Sequence, residues 1–343
     1  MSDPYSRQLF RVEGQTFCWR DVVVCAQVAG RWDAVVDGLS QGLACVEYAD
    51  TLDDPALEEA VEAAAAEFRY DRDLITAEET ETWLGERGVS AADWLASIRR
   101  SELRRHFADR LDELSEAYPP EQEAIERALQ VDLLCTELGR ELAEFCAERV
   151  AAAAAVGIPV CPPTQSARGD PPEPPAGVGP PLAGVLFSLF EQILAGVQRF
   201  RDASISAQAL QRAVDGHRME WVRLECRAVQ FGDETQAREA ALCLREDGLD
   251  LDQVAAEARL EPTDAGFFVD EIEQTLQPVF LSARPGDVLG PIALDGAQTL
   301  YQVLSKTMPA ESDPEVRARA EDWLVARALA DEAQRRVTWL VSW

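Results

Sequence analysis

Positive charge is scarce in this chain: 32 lysines and arginines stand against 62 aspartates and glutamates, a formal net charge of −30 with a pI near 4.4. That balance opposes binding to nucleic-acid phosphates and to anionic membrane surfaces, so neither is expected as a partner. It suits a cationic or amphipathic peptide, although acidity also serves solubility alone. Histidine is scarcer still, with only His106 and His217. Eight cysteines are scattered without a C-x-x-C pair, so no metal site and no cofactor are expected, and most thiols read as reduced core residues. Phosphate-binding loops, nucleophile elbows, H-E-x-x-H pairs and Rossmann glycine patterns are all missing, which leaves no residue set that specifies an independent enzyme chemistry. The opening residues lack a basic segment followed by an apolar one, and no stretch reaches membrane-spanning length without charges. A cytoplasmic location is the expectation.

What is present is apolar pattern: 343 residues with 47% hydrophobic content suffice for two or three cores. Phe10 to Phe17 alternate around Gly14, and Trp19 opens a helix with Asp21 in its first turn. From there to residue 157 apolar residues recur at spacings of three and four, so residues 1–157 read as a mostly helical domain. Thr76 with Glu79, and Ser90 with Asp93, read as helix starts, and Gly88 as the stop between them. Trp83, Leu84, Trp94, Leu95, Ile98 and Leu103 are then expected to share one core. Residues 158–182 are dense in proline and glycine and read as a semi-rigid linker. Residues 183–220 read as connecting helices, with Ser206 a cap, Gly216 a terminus and His217 a solvent-facing cap. In residues 310–343, Asp313 caps a helix opened by Pro314, whose apolar end from Val337 to Trp343 must be buried somewhere.

Residues 221–309 change character. A strand from Val222 to Phe231 leads to a helix from Glu234 to Arg245 and a shorter one from Asp252 to Ala258. Strands follow near Val288–Ile292 and Thr299–Leu304, with turn chemistry at Pro285-Gly286 and at Asp295-Gly296. The order makes an α+β unit. Its stretch "ARPGDVLGPIALDGAQTLYQVLSK", with Pro285, Gly286, Asp287, Gly290 and Pro291, resembles the parvulin type of peptidyl-prolyl isomerase domain found in SurA-type chaperones and PpiC-like proteins. "RVEGQTFCWRDVV" and the helix from Pro314 occupy the places of the flanking segments in SurA-like chains. Together with "HRMEW" and "RRVTWLVSW", the arrangement resembles PpiC-related proteins encoded with ribosomally made peptide natural products and described as peptide maturation proteins.

The resemblance implies an α+β chain: a mostly helical SurA-like N-terminal domain, completed by a C-terminal helix packing on it, plus a parvulin-like domain. A parvulin sets one histidine on its first strand and another on its last, with an Asp or Cys between, around a peptidyl-proline carbonyl. Here the first position falls on Arg227 and the second on Thr299, so the implied isomerase is degenerate. Arg227, or its neighbour Cys226 on the opposite strand face, is expected to line a peptide pocket with Thr299, Phe267, Phe268, Phe280 and Tyr301. Asp270, Glu271 and Glu273 offer either contacts to a basic peptide or a solvated turn. The implied function is a chaperone-like accessory protein that binds a precursor peptide or its modifying enzyme during peptide maturation. An active prolyl isomerase and a structural subunit of a modifying complex are the alternatives.

Overall fold

The computed structural model describes residues 4–52, 54–161, 184–246, 249–294 and 296–341. All but the first four residues of the expected 158–182 linker lie outside the described residues, as do Asp295 and Trp343. The architecture is α+β with two antiparallel sheets. The chain divides into two compact units, one formed by 1–202 with 328–343 and the other by 203–327.

The first unit runs β1 (Gln8–Val12), β2 (Gln15–Cys18), α1 (Trp19–Val28), α2 (Trp32–Ala49), α3 (Pro55–Tyr70), α4 (Ala77–Arg87), α5 (Ala91–His106), α6 (Leu111–Ala117), α7 (Gln122–Cys135), α8 (Glu137–Ala155) and α9 (Gly184–Ser204). The second runs α10 (Ala207–Gly216), β3 (Arg223–Phe231), α11 (Glu234–Glu246), α12 (Leu251–Ala258), β4 (Thr263–Phe268), α13 (Gln277–Ser282), β5 (Val288–Leu294) and β6 (Ala297–Thr307). A long helix, α14 (Pro314–Arg336), and a last strand, β7 (Val337–Trp339), end the chain.

Local chemistry explains the helix ends. Thr76 Oγ1 accepts from the Glu79 amide at 3.2 Å while the Glu79 carboxylate accepts from the Thr76 amide at 2.8 Å, which closes a capping box on α4. Gly88 ends that helix at φ +69°, a left-handed conformation that glycine adopts without a Cβ penalty. Ser90, Ser206 and Asp313 each accept a backbone N–H at the start of α5, α10 and α14. These caps fall where the sequence places them because each needs only neighbours within a few residues.

The tail differs from its expected form as one continuous helix. It leaves helical geometry after Arg336 and pairs β7 antiparallel to β1, giving a three-stranded sheet in the order β2-β1-β7. The terminus thus finds backbone partners, since an open edge of β1 would leave its N–H and C=O groups unpaired. The expected burial is not met: Val337 and Val341 are half-buried while Trp339 and Leu340 stay exposed. The fully buried Phe10 ring stacks on Phe17 with centroids 5.0 Å apart and meets Trp339 edge-on at 5.5 Å, and Arg336 reaches Glu13 at 2.8 Å.

The expected Trp stripe divides. Leu84, Trp94 and Ile98 share one cluster with Trp83 at its margin, Leu103 packs in another with Cys45 and Leu114, and Leu95 is exposed. The six residues lie on two helices, and α5 turns Trp94 and Ile98 into one cluster and Leu103 into the other. Residues 203–220 and 310–327, expected as connector and as part of the helical domain, group with the sheet unit. The reason is a core of their own: Leu210, Ala213 and Val214 pack with Trp221, Phe268, Val316 and Ala320. His217 belongs to this region too. It is the C-cap of α10, as expected, but its ring stacks on Trp221 at 4.5 Å, meets Trp323 edge-on at 4.6 Å and pairs with Glu220, so it is packed on aromatics rather than turned to solvent.

One buried ion pair crosses the first unit: Arg100 on α5 donates to Asp132 on α7 at 2.5 Å. Burial pushes the Asp132 carboxyl up to about 6 despite the attraction of Arg100. The folded chain therefore holds that proton where the unfolded chain has lost it, and the associated stability is present at low pH and lost as pH rises through about 6. Thermal melts should show Asp132→Asn gaining on the wild type as pH rises from about 4 to about 6; a constant gap would contradict this. Phe10→Ala should lower the unfolding free energy by about 3–5 kcal/mol in chemical denaturation, because β2 and β7 both pack on that ring.

Candidate functional site

The second unit is built on a four-stranded antiparallel sheet in the order β4-β3-β6-β5. β3 and β6, the strands expected to carry the two family positions, are direct neighbours at its centre. β4 was not expected from the sequence. Its residues, Thr263 to Phe268, alternate weakly, and its strand character comes from pairing with β3.

Alternation along β3 sends its side chains to two unlike faces. Val229 and Phe231 pack with Ala237, Ala241, Val254 and Leu300 under α11 and α12. Leu224 and Cys226 face the other way, into a cluster with Val222, Val269, Phe280 and Val303 that is bordered by half-buried Phe267, Tyr301, Leu289 and Ile292. On that second face Phe267, Phe280 and Tyr301 form a triangle of edge-to-face rings with centroids 5.5, 6.2 and 5.5 Å apart. Phe280 is 1% exposed, and Phe267 and Tyr301 keep part of their rings open to solvent. Phe280 is held by a backbone tie: the Lys306 ammonium, the single lysine of the chain, donates to the Leu281 and Ala283 carbonyls where α13 ends.

The expected residues therefore separate. Cys226 lies on the aromatic face, its thiol buried and pushed up to about 11 by desolvation, with Glu225 adding to the shift. Tyr301 shares the face, and burial followed by the Cys226 thiol raises its phenol. Thr299 pairs with Gln230 on β3 and Ile292 on β5, and two-residue alternation puts it on the same face as Tyr301. Thr299 is 1% exposed and its hydroxyl has no hydrogen-bond partner among the described residues.

Two of the candidate residues lie off this face. Arg227 is on the opposite face and cannot line this surface. It ion-pairs with Asp252 of α12 at 2.8 Å and lies 3.9 Å from Asp264 of β4. A one-residue step along a strand reverses the face, so the same alignment slid by one position exchanges Arg227 for Cys226. Phe268 also points away from Phe267: it packs with Trp221 and Val316 and lies under the Arg319 guanidinium at 4.2 Å. Arg319 is held there by Asp270 at 2.8 Å and by Glu271, so those two carboxylates serve the fold.

Leu289 and Ile292 were not anticipated as members of the face. Counting in twos from Tyr301 and across to β5 would have found them, once the bulge between Leu289 and Ile292 was known. At that bulge Gly290 has φ +109°, and a Cβ there would stand 2.6 Å from the Thr299 carbonyl oxygen, so the glycine lets β5 close on β6.

The face carries a thiol, a phenol and a hydroxyl but no imidazole or carboxylate poised for proton transfer; the groups of three or more His, Cys, Asp or Glu side chains that a metal would need do not occur among the described residues. What it offers a ligand is apolar and aromatic contact with the Tyr301 hydroxyl, since Cys226 and Thr299 are buried. No helix among the described residues is long and apolar enough to cross a membrane. No protein-family model matches the chain, and no curated protein or solved structure matches it.

An unmatched buried hydroxyl carries a desolvation cost. Thr299→Val, which keeps the branched shape, should raise the unfolding free energy by about 1 kcal/mol in the free protein; a loss of that size would show that the hydroxyl is matched.

Proposed function

We propose that the second unit binds a peptide segment on its aromatic face, and that the protein serves as a chaperone-like accessory in maturing a ribosomally made, post-translationally modified peptide. On this reading the unit is a degenerate prolyl isomerase domain of parvulin type, in a chain whose helical part takes the SurA-like role.

The observation that carries the binding part is the half-open Phe267–Phe280–Tyr301 triangle, bordered by Leu289 and Ile292. Rings whose edges and faces are open accept a proline or another apolar side chain. The adjacency of β3 and β6 is compatible with the parvulin-like order of strands, although Arg227 and Thr299, at the family's two histidine positions, lie on opposite faces of the sheet. The maturation context rests on the sequence resemblance alone. With Arg227 and Thr299 at the places of the histidines, ground-state binding is favoured over strong catalysis of an amide rotation whose barrier is about 18–20 kcal/mol.

Calorimetric titration with proline-centred apolar peptides and with a precursor peptide should show binding that Tyr301→Ala weakens about tenfold. Failure to bind peptide or modifying enzyme would overturn the reading. Exchange measurements on an X-Pro peptide should give a rate equal to the uncatalysed one; an accelerated rate lost in Tyr301→Ala would make the protein a working isomerase.

A further inference from the structure

Helices α2, α3, α5, α7 and α8 of the first unit surround a cleft of about 770 Å3. That volume is within the roughly 300–1,000 Å3 that accommodates ligands larger than a single ion. Small residues let its walls approach. Gly38 and Gly42 stand four apart on α2, and a Cβ at Gly38 would lie 3.6 Å from the Arg104 guanidinium, while one at Gly42 would lie 3.4 Å from Arg100. Arg100 and Arg104, also four apart, share a face of α5.

Most charges in the cleft are closed in pairs. Arg72 meets Glu137 at 2.7 Å, Arg100 meets Asp132 at 2.5 Å, and Glu102 is taken by Arg105 at 2.7 Å. Two cations and three anions are left over. Arg104 donates to the Gln41 side-chain oxygen at 3.2 Å and Arg31 lies over the Phe145 ring at 4.5 Å, and among the described residues neither is in an ion pair. Glu67, Asp71 and Glu141 also line the cleft without an ion pair among the described residues. Arg100 adds a second sign of an unfilled site: the residue is 8% exposed and its Nε–H has no hydrogen-bond partner among the described residues. Between these groups the wall is apolar, with Phe68, Ile98 and Leu142.

A lone anion is a poor fit, because a chain of net charge −30 repels it at a distance and the cleft itself holds a surplus carboxylate. A ligand that brings both signs answers both remainders. We propose that this cleft binds a short basic peptide end: its C-terminal carboxylate held by Arg104, Arg31 and the free Arg100 N–H, and a lysine or arginine side chain held by Glu67, Asp71 and Glu141. Guanidinium forks match a carboxylate, and the apolar wall covers the intervening residues. The cleft lies wholly in the first unit, so it is independent of the aromatic sheet face.

The test is calorimetric titration of the full chain with three N-acetylated pentapeptides: one with a central lysine and a free C-terminal carboxylate, the same peptide amidated at its C-terminus, and the same peptide with norleucine for lysine. The first should bind, and each of the others should bind at least about tenfold more weakly. Arg104→Gln should erase the preference for acid over amide, and the double variant Glu67→Gln with Asp71→Asn the preference for lysine. All three side chains are exposed, so thermal melts should match the wild type. Absence of binding by the first peptide, equal binding of all three, or preferences that survive these substitutions would overturn the proposal. Tyr301→Ala should leave the preferences intact, which keeps this outcome separate from that of the sheet face.

Discussion

The two-residue alternation of β3 is the constraint on which the second unit depends. β3 is hydrogen-bonded to β4 on one side and to β6 on the other, so it has no freedom to rotate or slip. Val229 and Phe231 commit one face to α11 and α12, and Leu224 and Cys226 then necessarily supply the other. The helix-covered face is closed and carries the Arg227–Asp252 pair at its margin. The other face retains partly open aromatic rings, and there the sheet has apolar surface left for a ligand.

The first unit meets a different constraint. Its N-terminal hairpin has an edge to cover, and β7 returns at the far end of the chain to do so. The unit is thus closed by residues separated by nearly the whole sequence, with Phe10 between Phe17 and Trp339 as the hinge of the packing. Loop-closure entropy grows only slowly with length, so such a distant partner is thermodynamically acceptable once apolar area is buried.

Features that depend on near neighbours were legible in the sequence. Thr76 with Glu79, Gly88, Ser206 and Asp313 each act within a few residues, and the periodicity of residues 20–157 specified helices. Features decided by partners far along the chain were not. β4 and β7 are short, with patterns that become strands only beside β3 and β1. Which of Arg227 and Cys226 shares the face of Tyr301 was left open by the sequence, because the choice required knowing which side the helices cover. The helical cleft had a trace in sequence, Gly38 with Gly42 and Arg100 with Arg104, but spacing on two helices says nothing of whether they face each other until the helices are packed.

The central claim is that peptide meets this chain on the Cys226 and Tyr301 face of the second unit. Its most direct test is photo-crosslinking of a proline-containing peptide bearing a photoreactive group, with the attachment sites mapped by mass spectrometry. The account predicts attachment at Phe267, Leu289, Ile292 and Tyr301; attachment confined to α11, α12 and the Arg227 face would contradict it.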